Sequence, residues 1–286
     1  MDYVILNGEY LQRENAKLSI NNRAFKYGDG IFETMLSVNN EIRHLQYHWE
    51  RLEKGMRLLD LKFKNILDIE AISSLVCSLV AKNNLKDNVR VRLEVFRNGA
   101  GLYTPTDNEA GYVLEANPTE VAYKSNLQNT ANNSVGFCDT IKLNYSSISS
   151  IKSCNSIPYI LAAIEREKKG MDDLILTNCE NFISECCSSN IFWWDGNTIF
   201  TPSIESGCIA GVMRRVLIAQ FQSSNLKVEE GLFPKVSLKG AKVAFTTNCM
   251  GIKLINKITD EKKEFYTIDN QAFTNSPLYA SILSLS

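Results

Sequence analysis

Residues 89–95 alternate strictly between apolar and charged side chains, in the order Val-Arg-Val-Arg-Leu-Glu-Val. A period of two is typical of a β-strand that buries one face in a core and leaves the other face polar. Over residues 46–59 and 66–82, apolar side chains instead recur every three or four positions, which predicts two amphipathic helices. A half-buried strand together with helices that can cover it predicts an α/β domain.

Similar patterns recur along the rest of the chain. Asn7-Gly8 separates two short apolar stretches and supplies the positive φ angles that a two-residue hairpin turn requires. A further strand is predicted at residues 112–116. In the second half, the patterns predict helices at residues 158–169 and 211–221 and strands at residues 173–177 and 190–194. Both halves are therefore expected to be α/β.

The chain length predicts two domains, since 286 residues correspond to about two domains of roughly 150 residues each. Residues 119–134 are rich in Asn, Thr and Ser and have no helical period, which is typical of a linker. We expect a smaller N-terminal α/β domain over residues 1–118 and a larger C-terminal α/β domain over residues 135–286.

Charge and apolar stretches exclude several classes of protein. Lys plus Arg (31) nearly balance Asp plus Glu (32), so no net field favours nucleic acid. The longest apolar stretches have six residues, far fewer than a membrane-spanning helix needs. The N-terminus lacks a basic signal-peptide region, so we expect a cytoplasmic protein. Eight cysteines without C-x-x-C spacing favour neither a zinc ribbon nor a disulfide scaffold.

Common catalytic motifs are missing or incomplete. The glycine loops at residues 28–33 and 99–104 both lack the third glycine of a dinucleotide fingerprint. The chain has no Walker A lysine loop, no G-x-S-x-G and no H-E-x-x-H. His44 and His48 are four residues apart, but they are the only two histidines and no third ligand accompanies them, so a helix start is favoured over a metal site.

Six short segments contain the residues best suited to chemistry, at positions 22–34, 48–52, 151–155, 183–192, 206–214 and 246–249. In content and order they resemble the fold type IV pyridoxal 5′-phosphate (PLP) enzymes of the aminotransferase class IV family. That family includes branched-chain and D-amino-acid aminotransferases and 4-amino-4-deoxychorismate lyase. The resemblance implies a two-domain α/β fold, PLP in the cleft between the domains, a small-molecule amino substrate and a homodimer.

The resemblance implies two catalytic residues. Lys152, in Ile151-Lys152-Ser153-Cys154-Asn155, matches the Schiff-base lysine, which also transfers protons at the substrate carbon. Lys142 is a competing candidate, but Lys152 precedes the predicted helix at residues 158–169 as the family pattern requires. Glu185 follows 33 residues after Lys152 and matches the carboxylate that keeps the pyridine nitrogen protonated.

Other cofactor contacts follow from the same resemblance. The predicted helix start at Gly211, Val212 and Met213 suits the cofactor phosphate, because free N–H groups and the helix dipole attract anions. Arg51 resembles the phosphate-binding arginine of the family. The remaining residues expected to contact the cofactor are Ser189, Asn190 and Cys249, where Cys249 stands in place of a hydroxyl residue that relatives often carry.

Among class IV reactions, Glu185-Cys186-Cys187 and Gly211-Val212-Met213-Arg214 look closer to the aminodeoxychorismate lyases. Branched-chain aminotransferases usually carry a hydroxyl residue where Met213 stands. The lyase reaction implied by the resemblance removes a ring proton through Lys152 and releases pyruvate, leaving 4-aminobenzoate for folate biosynthesis. Candidate substrate contacts are Tyr27, Thr34, Arg97 and Tyr103.

Two other functions stay open at this point. Leu102 precedes Tyr103 where lyases commonly place an arginine, which leaves a class IV aminotransferase for branched-chain or D-amino acids as the alternative. Ser156 stands where many relatives carry a tyrosine that bonds to the cofactor. Together with Cys249, these departures leave room for a catalytically silent PLP-binding protein.

Overall fold

The chain folds into two compact units. The computed structural model describes residues 2–64, 67–120, 133–260, 263–267 and 273–285. The first unit comprises Met1–Val121 and Ile151–Asn155, and the second comprises Ala122–Ser150 and Ser156–Ser286. Most of the predicted linker lies outside the described residues. The short returning segment of the first unit contains Lys152.

The first unit is a mixed sheet with helices. Its elements are β1 (Tyr3–Leu6), β2 (Glu9–Gln12), α1 (Arg23–Tyr27), β3 (Gly30–Val38), β4 (Glu41–Ile42), α2 (Leu45–Leu58), β5 (Lys62–Phe63), α3 (Ile69–Lys82), β6 (Asn88–Arg97) and β7 (Glu109–Pro118). Six strands follow the order β2-β1-β7-β6-β3-β4, and β5 pairs with β7. Apolar side chains of α2, α3 and one sheet face form the core.

The sequence predictions for this unit are confirmed where they fall on described residues. Asn7 and Gly8 have φ angles of 51° and 92°, and Leu6 pairs with Glu9 across this two-residue turn. The alternating segment lies within β6, with its apolar side chains buried. The second helix begins slightly later than predicted, because the Asp68 carboxylate accepts a hydrogen bond from the Ala71 N–H and caps it.

The second unit contains two five-stranded sheets. Its elements are β8 (Ser134–Leu143), α4 (Ile157–Lys169), β9 (Asp173–Asn178), β10 (Ile183–Cys186), β11 (Asn190–Trp194), β12 (Thr198–Pro202), α5 (Val212–Ser223), β13 (Lys227–Gly231), β14 (Val243–Asn248), β15 (Gly251–Leu254), β16 (Lys257–Asp260), β17 (Lys263–Thr267) and α6 (Pro277–Leu283). The strand orders are β10-β9-β8-β16-β17 and β13-β12-β11-β14-β15.

The core of the second unit lies between these sheets. It combines side chains of β8, β9 and β16 with side chains of β11 and β14, among them the fully buried Trp193. Helix α4 packs through Ala162 on the sheet that contains β8 and β9. Helix α5 packs through Phe221 on the sheet that contains β14, where its ring contacts Phe245. Both predicted helices and both predicted strands of this half are confirmed.

Within the described ranges, no helix combines the length and the apolar character that crossing a membrane requires.

Candidate active site

Backbone hydrogen bonds hold the segment of Lys152 against strand β3, in the sheet of the first unit. The Phe32 N–H donates to the Lys152 carbonyl over 2.8 Å, and the Cys154 N–H donates to the Gly30 carbonyl over 2.9 Å. The returning segment therefore runs antiparallel along the start of β3. The side chain of Lys152 is half-buried, and its Nζ lies 4.6 Å from the centroid of the Phe32 ring. The amine thus has a defined position over the polar face of the sheet.

A second cation lies at the same ring. The Arg92 guanidinium carbon is 3.9 Å from the Phe32 centroid, and its Nη2 lies 2.7 Å from the Glu94 carboxylate. Thr34 pairs with Arg92 across the strands, so its side chain lies on this face as well. Of the predicted substrate contacts, Thr34 is therefore close to Lys152 along the strand. The sequence analysis did not name Arg92 as a candidate site residue, although the alternation of residues 89–95 already places it on the polar face.

Arg51 forms a buried ion pair on the opposite face of β3. Its Nε and Nη2 lie 2.7 and 2.6 Å from the two carboxylate oxygens of Glu33. His48 Nδ1 lies 2.6 Å from the same carboxylate. Burial opposes the ionisation of Glu33, but the charge and hydrogen bonds of Arg51, with His48, outweigh it and lower the Glu33 pKa to about 2. Glu33 therefore fixes the plane of the Arg51 guanidinium.

The two histidines have separate surroundings. His44 is the N-cap residue of α2, with a φ of 54°, which agrees with the expected helix start. His48 is buried against Glu33. Among the side chains that the structure describes, no group of three or more His, Cys, Asp or Glu residues is placed to hold a metal ion.

Arg97 lies on the core face of β6, away from Arg92. Its guanidinium donates to Asp29 over 2.9 Å, to Asn108 over 2.6 Å and to the Leu59 carbonyl over 2.6 Å. These protein partners already occupy much of its hydrogen-bonding capacity. Substrate binding by Arg97 stays a prediction, and the geometry gives this side chain a structural role.

The structure brings Tyr27 and Tyr103 together. Their ring centroids are 5.7 Å apart, and Tyr103 is 90% exposed. The loop that carries Tyr103 is held by Arg23, whose guanidinium donates to the carbonyls of Gly101 and Leu102. Since Arg23 also binds Asp29 over 2.7 Å, this loop has a fixed anchor.

In the second unit, Glu185 accepts several hydrogen bonds. Glu185 is only 3% exposed. Its Oε1 accepts from the Tyr159 hydroxyl over 2.6 Å and from the Ile209 N–H over 3.0 Å. Asn190 Nδ2 reaches Oε2 over 3.4 Å. The predicted pair Glu185 and Asn190 is therefore adjacent. No pattern in the sequence singled out Tyr159.

The turns that carry Ser189 and Cys249 also meet. Asn190 pairs with Thr247, and the Asn248 amide donates to the Ser188 carbonyl over 3.1 Å. The Ser189 hydroxyl donates to Asp173 over 3.3 Å. These contacts place the turn after β10 beside the turn after β14. Ser189 and Cys249 therefore lie at the same end of the sheet that contains β11 and β14.

Gly211 is the N-cap residue of α5 and approaches Asn190 closely. A Cβ atom at Gly211 would lie 1.9 Å from the Asn190 amide oxygen. Asn190 cannot easily move, because its Nδ2 donates to the Ile209 carbonyl over 3.0 Å and it is 5% exposed. Only glycine fits here. Val212 and Met213 follow as the first residues of the helix.

Comparison with known proteins agrees with this arrangement. The chain matches the family described as Amino-transferase class IV over residues 30–258. It is 28% identical to the aminodeoxychorismate lyase of Bacillus subtilis over 251 residues, which cover 86% of this chain and 82% of that protein.

Two solved structures share the fold. A branched-chain aminotransferase from Thermoproteus uzoniensis, solved with norvaline, has a TM-score of 0.84 at 21% identity and covers 98% of this chain and 93% of its own. A protein from Legionella pneumophila, described as a putative 4-amino-4-deoxychorismate lyase, has a TM-score of 0.79 at 21% identity and covers 95% and 94%. With more than half of the chain matched, this protein belongs to the class IV aminotransferase family.

Proposed function

We propose that this chain binds PLP and acts as a 4-amino-4-deoxychorismate lyase, which forms 4-aminobenzoate and pyruvate. The observation that carries the proposal is the arrangement around Glu185, a buried carboxylate held by three donors and linked through Ile209 and Asn190 to the N-terminus of α5. Similarity to the B. subtilis lyase over most of the chain favours this reaction within the family.

The residues fit the functional groups of the cofactor. Bound PLP supplies an aldehyde for an amine and a ring that withdraws electrons from the reacting carbon. Lys152 offers the amine, and Glu185 offers the carboxylate that keeps the ring nitrogen protonated. The phosphate requires N–H donors, which Val212 and Met213 present at a helix start that Gly211 leaves without a side chain.

Further contacts are assigned to the phosphate and ring. Arg51 adds a cation whose orientation Glu33 fixes through the bidentate pair. Ser189 and Asn190 hold the turn beside Glu185. Cys249 supplies a thiol, which is a weaker donor than the hydroxyl of relatives.

In the proposed reaction, Lys152 acts as the base. It takes the proton from the ring carbon that bears the amino group of the substrate, and it then holds a proton at Nζ. The bond between the ring and the ether oxygen then breaks, and the departing enolpyruvate takes up the proton held at Nζ to become pyruvate. The ring that remains is aromatic, which makes this step favourable. Phe32 borders the amine, and Thr34 lies two residues further along the same face of β3, so both side chains restrict where the substrate ring can lie.

The proposal is tested by product formation. Purified protein with PLP and aminodeoxychorismate is expected to release 4-aminobenzoate, followed by its fluorescence, and an equal amount of pyruvate, followed by coupled reduction. A parallel assay supplies L- or D-amino acids with a keto acid. Products in the first assay alone support the lyase. Turnover in the second alone overturns it, and turnover in neither favours the catalytically silent protein.

We assign Arg92 to a substrate carboxylate, because its guanidinium lies at the same ring as the Lys152 amine. Arg92→Ala is expected to lower kcat/KM by about 10- to 100-fold, mainly through KM, since a hydrogen bond to a charged group is lost. Arg90→Ala is the matched control, because Arg90 lies on the same face roughly 7 Å further along β6. Equal effects of both changes would contradict the assignment.

Gly211→Ala is expected to weaken PLP binding by about tenfold or more, measured by equilibrium dialysis. The new methyl group displaces Asn190, which lies 1.9 Å from the Cβ position, and so disturbs both Glu185 and the helix start. Gly240→Ala is the matched control, because Gly240, like Gly211, lacks a positive φ, and its Cβ position has no atom within 4 Å. Unchanged PLP affinity in Gly211→Ala would overturn this part of the site.

A class IV aminotransferase is the second candidate function, and Leu102 favours it. The side chain is 77% exposed on the loop next to Tyr103. An apolar residue at this position cannot bind a carboxylate, whereas the arginine common in lyases can. The paired assays above distinguish the two reactions.

A homodimer is part of the proposal. Helix α4 carries an exposed apolar stripe with i, i+3, i+4, i+7 spacing, made of Ile157, Ile160, Leu161 and Ile164. A contiguous apolar surface of this kind is typical of a contact between proteins. A second copy of the chain is the proposed occupant.

A further inference from the structure

Tyr159 bonds to the carboxylate assigned to the cofactor ring. Its hydroxyl donates to Oε1 of Glu185 over 2.6 Å, the shortest of the hydrogen bonds described for this carboxylate. Tyr159 lies in the first turn of α4, and its ring packs against the cluster that contains Leu143 and Leu174. The ring therefore belongs to the packing of α4 on the sheet, while the hydroxyl reaches the site.

Tyr159 shares Oε1 with a second donor, the N–H of Ile209 at 3.0 Å. Two hydrogen bonds on one oxygen fix the rotation of the Glu185 carboxylate, and each favours its charged form. Ile209 is positioned by the backbone before α5, and Tyr159 is positioned by α4. The orientation of Glu185 is thus set from two different elements of the second unit.

The Tyr159 hydroxyl acts as a donor only. Burial, and then the charge and hydrogen bond of Glu185, raise the pKa of Tyr159 well above its ordinary value of 10.0. The hydroxyl therefore keeps its proton near neutral pH. Because a carboxylate has no proton to offer, the direction of the hydrogen bond is fixed from Tyr159 to Glu185.

We propose that Tyr159 is a positioning residue that sets the basicity and orientation of Glu185 toward the ring nitrogen of PLP. This inference rests on the proposed function. A carboxylate that already accepts the Tyr159 hydroxyl is a weaker base, so the proton between Glu185 and the ring nitrogen stays on the nitrogen. The positively charged ring then withdraws electrons most strongly from the carbon that loses its proton to Lys152.

The test is Tyr159→Phe, which keeps the packed ring and removes only the hydroxyl. With PLP bound, the pH midpoint of the near-visible absorption band is expected to rise by about half a unit to one unit. A less charged ring nitrogen withdraws fewer electrons from the lysine nitrogen, which therefore holds its proton to higher pH. In the same variant, kcat is expected to fall about three- to tenfold while KM stays within about twofold.

Tyr112→Phe is the matched control, because Tyr112 is a half-buried tyrosine of the first unit that packs against Phe63. It is expected to leave the band midpoint and kcat unchanged. A Tyr159→Phe protein with a lower melting temperature but the wild-type midpoint and kcat would show a purely structural role and overturn the inference. If wild-type protein forms no band with PLP, the proposed function and this inference both fail. A wild-type band with an unshifted Tyr159→Phe band overturns the inference alone.

Discussion

Lys152→Ala is expected to abolish the near-visible absorption band of the PLP-loaded protein and to lower kcat by at least about 10²–10⁴-fold. The variant loses both the amine that bonds to the cofactor aldehyde and the base that transfers the substrate proton. The fold is expected to stay intact, because the backbone of residue 152, rather than its side chain, accepts the hydrogen bond from Phe32. Absorption spectra and turnover of the two proteins measure the effect.

Lys142→Ala is the matched control for this prediction. Lys142 is the other lysine near the candidate motif, and its Nζ donates to Thr177 over 2.5 Å and to Asn181 over 3.0 Å. These contacts tie strand β8 to the neighbouring β9 and its following turn, which gives Lys142 a structural role. The control is expected to keep the band and the turnover. A persistent band in Lys152→Ala, or its loss in Lys142→Ala, would reverse the assignment of the lysine.

Local periodicity was sufficient to predict most elements of the fold. The alternation of residues 89–95 and the apolar spacing of the helices reflect the faces that each element buries, so they are visible in the sequence itself. The return of Ile151–Asn155 to the first unit was not predictable in this way. It depends on backbone pairing with Gly30 and Phe32, more than a hundred residues earlier, and backbone groups leave little trace in side-chain patterns.

In the candidate site too, side-chain patterns predict the face on which a residue lies but not its distant partners. Arg92 and Arg97 lie five residues apart on one strand, and a period of two places them on opposite faces. The sequence alone predicts these opposite faces. It does not predict the partners of Arg97, which are Asp29, Asn108 and Leu59, because they lie outside the strand, 11 to 68 residues away. Resemblance to a family supplied Lys152 and Glu185.

Tyr159 illustrates what resemblance leaves out. Ser156 occupies the position at which many relatives carry a tyrosine, and Tyr159 lies three residues later, on the same side of α4. By position alone, Ser156 indicates that a tyrosine hydroxyl is missing. The structure instead shows a phenol further along the helix that bonds to Glu185, a contact that depends on the packing of α4 against β8 and β9.

Glu33→Gln is expected to lower the free energy of unfolding by about 3–5 kcal/mol at neutral pH, because it removes the charge that pairs with the buried Arg51 guanidinium. Thermal and denaturant unfolding measure this change. Glu53→Gln is the matched control, because Glu53 lies on α2, the helix that carries Arg51, and pairs with Arg57 over 3.7 Å at the surface. Loss of this surface pair is expected to change the free energy of unfolding by less than about 1 kcal/mol. Equal stability of the two variants would contradict the role of Glu33.

The ion pair of Glu33 and Arg51 also predicts how stability depends on pH. Arg51 and His48 lower the Glu33 pKa from its ordinary value of 4.5 to about 2, against the effect of burial. A depressed carboxyl pKa contributes stability that is complete above pH 4.5 and is lost as the pH falls toward 2. The difference in stability between wild type and Glu33→Gln is therefore expected to narrow over that range. A difference that stays constant from neutral pH to pH 2 would mean that the ionised carboxylate of Glu33 is not what stabilises the pair.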